Sequence, residues 1–164
     1  MARSQVGPVL YLEDLRVGQR FETGDCTVSE ADITAFAAEF DPQPFHLDAH
    51  AARGSVFGGL VASGWHTAAI TMRLLVESGL PLAGGIIGAG GEINWPKPTR
   101  PGDVLHVISE IEQVTPSRSR SDRGTVRVRS ETRNQRDEVV QVLIANLIVP
   151  RRASSYARGE LAAG

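Results

Sequence analysis

The sequence predicts an α+β domain in which one antiparallel sheet curls around a single long helix. Three observations point there. A helical stretch at about 63–78 is apolar nearly all round. Four strand-like stretches follow it with no helical pattern between them, and one short strand precedes it. Helices and strands segregated along the chain in this way mark the α+β class. At 164 residues the chain favours one domain with one sizeable core.

Taken in order, residues 1–10 and 151–164 read as flexible ends around a domain at 11–150. The second (RRASSYARGELAAG) is small and polar without periodicity. A first strand is expected over 19–28, after the Val17-Gly18 turn. Ser29-Glu30-Ala31-Asp32 then opens a helix, because the serine hydroxyl can take up a free amide and acidic side chains suit the positive helix end. Ile33, Phe36, Ala37 and Phe40 recur at helical spacing and give that helix one apolar face. Pro42 and Pro44 lack the backbone N–H and stop it. Residues 41–47 are therefore expected to form a stiff, extended excursion. Asp48 can cap a short helix over 49–53.

After Gly58-Gly59 comes the 63–78 helix, whose all-round apolarity predicts burial on most sides. Arg73 and Glu77, four apart, form its one wet patch, and Gly79 ends it. Strands are expected at 86–95, 104–114, 125–133 and 138–149. Thr125–Arg129 alternates (T-V-R-V-R), so one face meets water. VVQVLIANLIV is almost continuous, which predicts a strand buried on both faces or at a subunit interface. Five strands around one helix leave an outer edge unpaired. A free edge invites pairing with a second copy, so a homodimer is expected.

Composition narrows the function. The formal net charge of −2 gives no general attraction to nucleic acid or an anionic membrane. The 17 basic residues form no stripe interleaved with aromatics. A single cysteine, Cys26, cannot form an internal disulfide and fits a reducing compartment. The opening MARSQVGPVLYLEDL lacks the apolar stretch of a secretory signal, and Leu60–Val76 is too short and too polar for a membrane span. Cytoplasmic residence is the expectation. Four scattered histidines and one cysteine give no zinc-ligand spacing, so no metal is expected.

Two places carry chemistry. Asp41 and His46 flank a stretch stiffened by two prolines, which lowers the entropy lost when side chains are fixed in one geometry. A carboxylate and an imidazole are the minimum for general acid–base catalysis near neutral pH. Equally, Asp-Pro after a helix is a common turn, and His46 could be an incidental loop residue. At Ala62-Ser63-Gly64-Trp65-His66, Gly64 puts an unshielded N–H in the first turn of the buried helix, a fit for an oxyanion. It could instead serve only close packing against the sheet. His66 reads as a hydrogen-bonded core or interface residue, and His50 and His106 as facing solvent or a neighbour. Seven arginines between Ser117 and Arg136 read as a solvated strand face, with contact to the phosphates of a cofactor-like substrate as the sharper alternative. Ala83–Gly91 holds five glycines without phosphate-loop spacing. It reads as a strand that another backbone or a slender ligand arm passes closely.

Residues from about 12 to 150 resemble the MaoC-like, (R)-specific enoyl-CoA hydratase family. The family segment Gly-Asp-x-Asn-Pro-Leu-His, with an acidic residue two further on, is similar to Phe40-Asp41-Pro42-Gln43-Pro44-Phe45-His46-Leu47-Asp48. Its His-Gly pair matches Ser63-Gly64, and its Pro-x-x-x-Gly-Asp phrase matches Pro98 to Gly102-Asp103. The resemblance implies a hot-dog fold, a five-stranded antiparallel sheet around a long helix. It also implies an acyl-CoA thioester substrate, with coenzyme A entering as part of that substrate and no other cofactor. Asp41 and His46 would activate water for addition to an enoyl thioester, and the Gly64 amide would polarise the carbonyl. Gln43, Pro44 and Ser63 would contact the substrate. Gln43 and Ser63 depart from the family's Asn and His, and Phe45 replaces a leucine as packing. Two alternatives remain, a hot-dog acyl-CoA thioesterase and a non-catalytic acyl-CoA-binding module. The first would want an acid on the central helix, where only Glu77 is offered.

Overall fold

A computed structural model of the protein describes residues 8–153. The chain runs through β1 (Arg20–Glu22), β2 (Cys26–Thr27), α1 (Glu30–Phe40), α2 (Pro44–Leu47), α3 (Ala49–Arg53) and α4 (Gly64–Leu74), then β3 (Ile87–Asn94), β4 (Val104–Pro116), β5 (Arg123–Arg133) and β6 (Val139–Pro150). The sheet is antiparallel, in the order β1-β4-β5-β6-β3, with β2 also pairing β4. It has six strands rather than five. The strand expected over 19–28 splits in two at Thr23-Gly24-Asp25, where the Thr23 backbone and hydroxyl bond Val107 instead of continuing the ladder.

Alternation decides which sheet face is inside. Leu105, Val107, Ser109 and Ile111 of β4 and Val126, Val128, Ser130 and Thr132 of β5 are buried. Arg127 and Arg129 point outward and pair with Glu112 and Glu131. The period of two puts every second side chain on one face, and Ile70, Leu74 and Leu75 from the helix complete the core. Burying such side chains stabilises by roughly 1.5–3 kcal/mol each. The Gly-rich strand β3 passes its neighbour closely: a Cβ at Gly91 would collide with the Ile144 carbonyl oxygen of β6.

Helix starts follow the expected chemistry. Ser29 accepts from the Asp32 amide while Asp32 reaches back to the Ser29 amide, a reciprocal cap. Asp48 accepts from the Ala51 amide at 2.7 Å and starts α3. Of residues 41–47, expected to be extended, Gln43 is, but Pro44–Leu47 are helical. Pro44 occupies the first position of the short helical turn α2. Its missing N–H costs nothing there and its fixed φ suits a helix, so the proline that ends α1 begins the next element.

The central helix is α-helical to Leu74 and closes in a wider π turn at Leu75–Gly79. One side is buried through His66, Thr67, Ile70, Thr71 and Leu74, but Trp65, Met72 and Val76 on the other are exposed. Among the described residues the expected burial on most sides thus exists on one side only. Arg73 and Glu77 pair at 2.9 Å, as the spacing predicted. At the edges of the described residues Leu10 bridges Leu82, and Arg151 and Arg152 pair with Glu13 and Asp14. Residues 1–7 and 154–164 of those expected ends lie outside the described residues.

Candidate active site

Asp41 is the residue that caps the C-terminus of α1, its N–H still bonded to the Ala37 carbonyl at 2.9 Å. The next helical turn, α2, raises His46 beside it. The His46 Nε2 atom lies 3.3 Å from Asp41 Oδ2, with the imidazole buried and the carboxylate nearly so. His46 Nδ1 sits 2.7 Å from the Val61 carbonyl oxygen. A carbonyl can only accept, so Nδ1 carries the proton and a neutral imidazole turns the lone pair of Nε2 toward Asp41. The Phe45 ring meets the imidazole edge-on at 4.5 Å and holds its plane.

The segment carrying Val61 is fixed on both sides. The Val61 amide donates to Phe45 and the Ala62 amide to Thr99. This strap delivers Ser63 to the N-cap of α4, where its Oγ accepts from the Trp65 amide at 3.2 Å. With that lone pair engaged, the hydroxyl proton is available to Asp41. The Ser63 hydroxyl and the Gln43 amide (2.7 Å from Oδ1) hold the Asp41 carboxyl below its usual range, although burial alone would raise it.

Gly64 is the first residue of α4, and its N–H makes none of the hydrogen bonds found among the described residues. It lines the same cleft, of about 510 Å³, as Asp41, His46, Gln43 and Ser63. A free amide at the positive end of a helix suits a developing oxyanion. The packing role weighed for this glycine is also present. A Cβ at residue 64 would lie 2.7–2.9 Å from three atoms of the Trp95 indole.

Five of the six residues singled out in the sequence therefore share one cleft. Pro44 does not line it; it starts α2 and faces outward. Gln43 and Ser63, expected to contact substrate, reach Asp41 as well as the cleft. Trp95, Phe57, Lys97 and Thr99 line the cleft and were missed. Only Trp95 carried a signal, an aromatic at the end of a strand just before Pro96. None of the seven arginines lines the cleft. His66 is buried as expected, but its Nδ1 finds no partner among the described residues, and the ring stacks on Phe36 at 4.7 Å. Desolvation pushes its pKa down. Glu77 lines a separate hollow at the far end of α4.

A MaoC like domain is matched by residues 14–134. The chain belongs to the MaoC-like family. A MaoC-like dehydratase from Rhodospirillum rubrum of known structure is 64% identical, with a TM-score of 0.87 over 88% of this chain and 99% of that one. The uncharacterized protein YdeM of Bacillus subtilis (strain 168) is 39% identical, covering 78% of this chain and 90% of its own length. The 3-hydroxybutyryl-CoA dehydratase of Methylorubrum extorquens is 35% identical over 69% of this chain and 71% of that protein. The MaoC-like resemblance and the hot-dog fold expected from it both hold, and the family includes hydratases and dehydratases.

Proposed function

We propose that this MaoC-like protein reversibly adds water across the 2,3-double bond of an enoyl-CoA thioester, with Asp41 and His46 as the proton-transfer pair. One observation carries the reading. Two acceptors, the Asp41 carboxylate and the His46 Nε2 lone pair, lie 3.3 Å apart at a cleft that also holds the unbonded Gly64 N–H. Two adjacent acceptors are complementary to the two O–H bonds of one water. As that water's oxygen bonds C3, one of its O–H bonds breaks and the proton passes to the dyad. The π electrons of the double bond move to C2 and into the thioester carbonyl, whose oxygen the Gly64 N–H receives. C2 then takes a proton from the dyad, and both groups return to their starting states.

Hydrolysis of the thioester fits less well. Glu77, the acid on the central helix, pairs with Arg73 and lines a different hollow. The experiment is an incubation with crotonyl-CoA, following the enoyl absorbance beside free thiol. Loss of the enoyl band without thiol supports hydration. Thiol release means a thioesterase, and silence across an enoyl-CoA panel means a binding module.

The working unit we propose is a homodimer. Among the described residues strand β3 is an edge bonded only to β6, and it is exposed along almost its whole length. Beside it, Trp65 of α4 and Val76 of the π turn that follows α4 are 61% and 65% exposed. An uncovered edge next to an uncovered apolar helix stripe is a surface that self-association would bury.

A further inference from the structure

Trp95 follows β3, and its indole N–H finds a partner deep inside the fold. Nε1 donates to Gln141 Oε1 at 2.9 Å. Gln141 Nε2 donates to Thr71 Oγ1 at 3.0 Å. Thr71 gives its own proton to the Thr67 carbonyl at 2.9 Å and lies 2.6 Å from Thr132 Oγ1. The directions are forced. An indole N–H only donates, so the amide oxygen of Gln141 faces Trp95 and its nitrogen faces Thr71. Thr71, its proton spent, accepts from both Gln141 and Thr132. Gln141, Thr71 and Thr132 have no exposed surface. A polar chain in such a place is favourable only because every member is satisfied.

The far end of this chain reaches the cleft. Three atoms around the fused bond of the Trp95 indole would stand 2.7–2.9 Å from a Cβ at Gly64, so the ring covers that glycine directly. The Trp65 ring meets Trp95 edge-on at 5.4 Å and supports it from the solvent side. Trp95 thus borders the amide that receives the carbonyl in the proposed reaction. We propose that Gln141 is a positioning residue for that reaction: through the Trp95 indole it fixes the wall over Gly64 and so the place of the Gly64 amide. Gln141 lies outside the cleft lining and acts only through Trp95. The catalytic half of this statement rests on the proposed hydratase reading; the mechanical half does not.

The protein has two tryptophans, so Trp65→Phe leaves Trp95 as the sole emitter. Adding Gln141→Leu to that variant should shift the Trp95 emission and lower its anisotropy as the ring is released. In the otherwise native protein, Gln141→Leu should lower kcat on crotonyl-CoA about tenfold while KM moves less than about twofold. That is part of the roughly 10²–10³-fold supplied by one oxyanion donor. Trp95→Phe cuts the same bond from the other side and leaves the Gln141 oxygen buried without a donor. Gln141→Leu added to it should cost no further activity and should recover part of the lost thermal midpoint, because removing both partners is cheaper than removing one.

Unchanged Trp95 emission and anisotropy in the Gln141→Leu variant would overturn the proposal. Losses in the double variant that multiply as for independent sites would overturn it too. A native protein that hydrates no enoyl thioester overturns the proposed function first, and the emission measurement then decides alone whether Gln141 holds Trp95.

Discussion

Replacing Asp41 by Asn tests the dyad with little disturbance of the fold. The amide is isosteric, its Oδ1 can still accept from Gln43, and the backbone bond from Asp41 to Ala37 is untouched. Two things change. The carboxylate proposed to take the water's proton is gone, and the new amide nitrogen, where Oδ2 stood 3.3 Å from His46 Nε2, donates into that lone pair. General acid–base catalysis supplies about 10²–10⁴-fold, so the barrier should rise by roughly 3–5 kcal/mol. The structural cost is smaller. A bond to an ionised group contributes about 1.5–3 kcal/mol and a neutral one about 0.5–1.5, so stability should fall by about 1 kcal/mol. For a domain of this size that lowers the melting midpoint by roughly 2–4 °C. The assay is loss of crotonyl-CoA absorbance, with circular dichroism confirming the folded fraction. A folded variant retaining a third or more of native kcat/KM would refute the role given to Asp41.

The other expectations are narrower. Ser63→Ala removes the first of the groups that keep Asp41 ionised, so its pKa should rise and the acid limb of the kcat/KM–pH profile should move upward; a limb that stays put denies that contact. The depressed Asp41 pKa also stabilises the fold above the ordinary value near 3.8, an effect lost as pH falls through the folded-state value. Glu138, held down to about 2 by Asn134, Lys97 and Arg136, should likewise stabilise the fold above about 4.5 and cease to do so as pH falls toward 2. Glu138→Gln should therefore flatten acid unfolding in that window, the more so at low salt. Gly64→Ala must push the Trp95 ring aside, so crotonyl-CoA turnover and Trp95 emission should change together; normal turnover would deny the close approach any role. Met72→Glu on the exposed stripe of α4 should shift the sedimentation of the native assembly toward monomer without lowering helicity.

Much of the fold was legible because its signals are periodic. Strands β3 to β6 lie within two residues of their expected bounds, since alternation and proline-glycine breaks act locally. The misreadings share another cause. At Pro44 a local rule, that proline stops a helix, was right for α1 and concealed its complement, that proline also starts one. The break in the first strand at Thr23–Asp25 depends on a bond to Val107, 84 positions away, which no local pattern announces. In the candidate site, the meeting of Asp41, His46 and Gly64 in one cleft was legible because each stands in a short local motif. Trp95 and Gln141 were not, because they meet across 46 positions of chain, and a glutamine in an apolar strand resembles a solvent-facing residue until its partner is seen.

The departures at Gln43 and Ser63 gain a different meaning from this geometry. As departures from the family pattern they were expected only to contact the substrate. Both side chains bear on the Asp41 carboxylate, one as an amide donor at 2.7 Å and one as a hydroxyl that also caps α4. Ser63 therefore joins the two halves of the proposed chemistry. The same side chain that keeps Asp41 ionised sets the first turn of the helix presenting the Gly64 N–H. A change at 63 would move the base and the oxyanion donor together, whereas a change at 43 would reach only the base. The two positions should thus separate in kinetics. Gln43→Leu should alter the pH profile with the carbonyl-polarising function intact, and Ser63→Ala should alter both. If the two variants behave alike, Ser63 is not the link between the dyad and the helix.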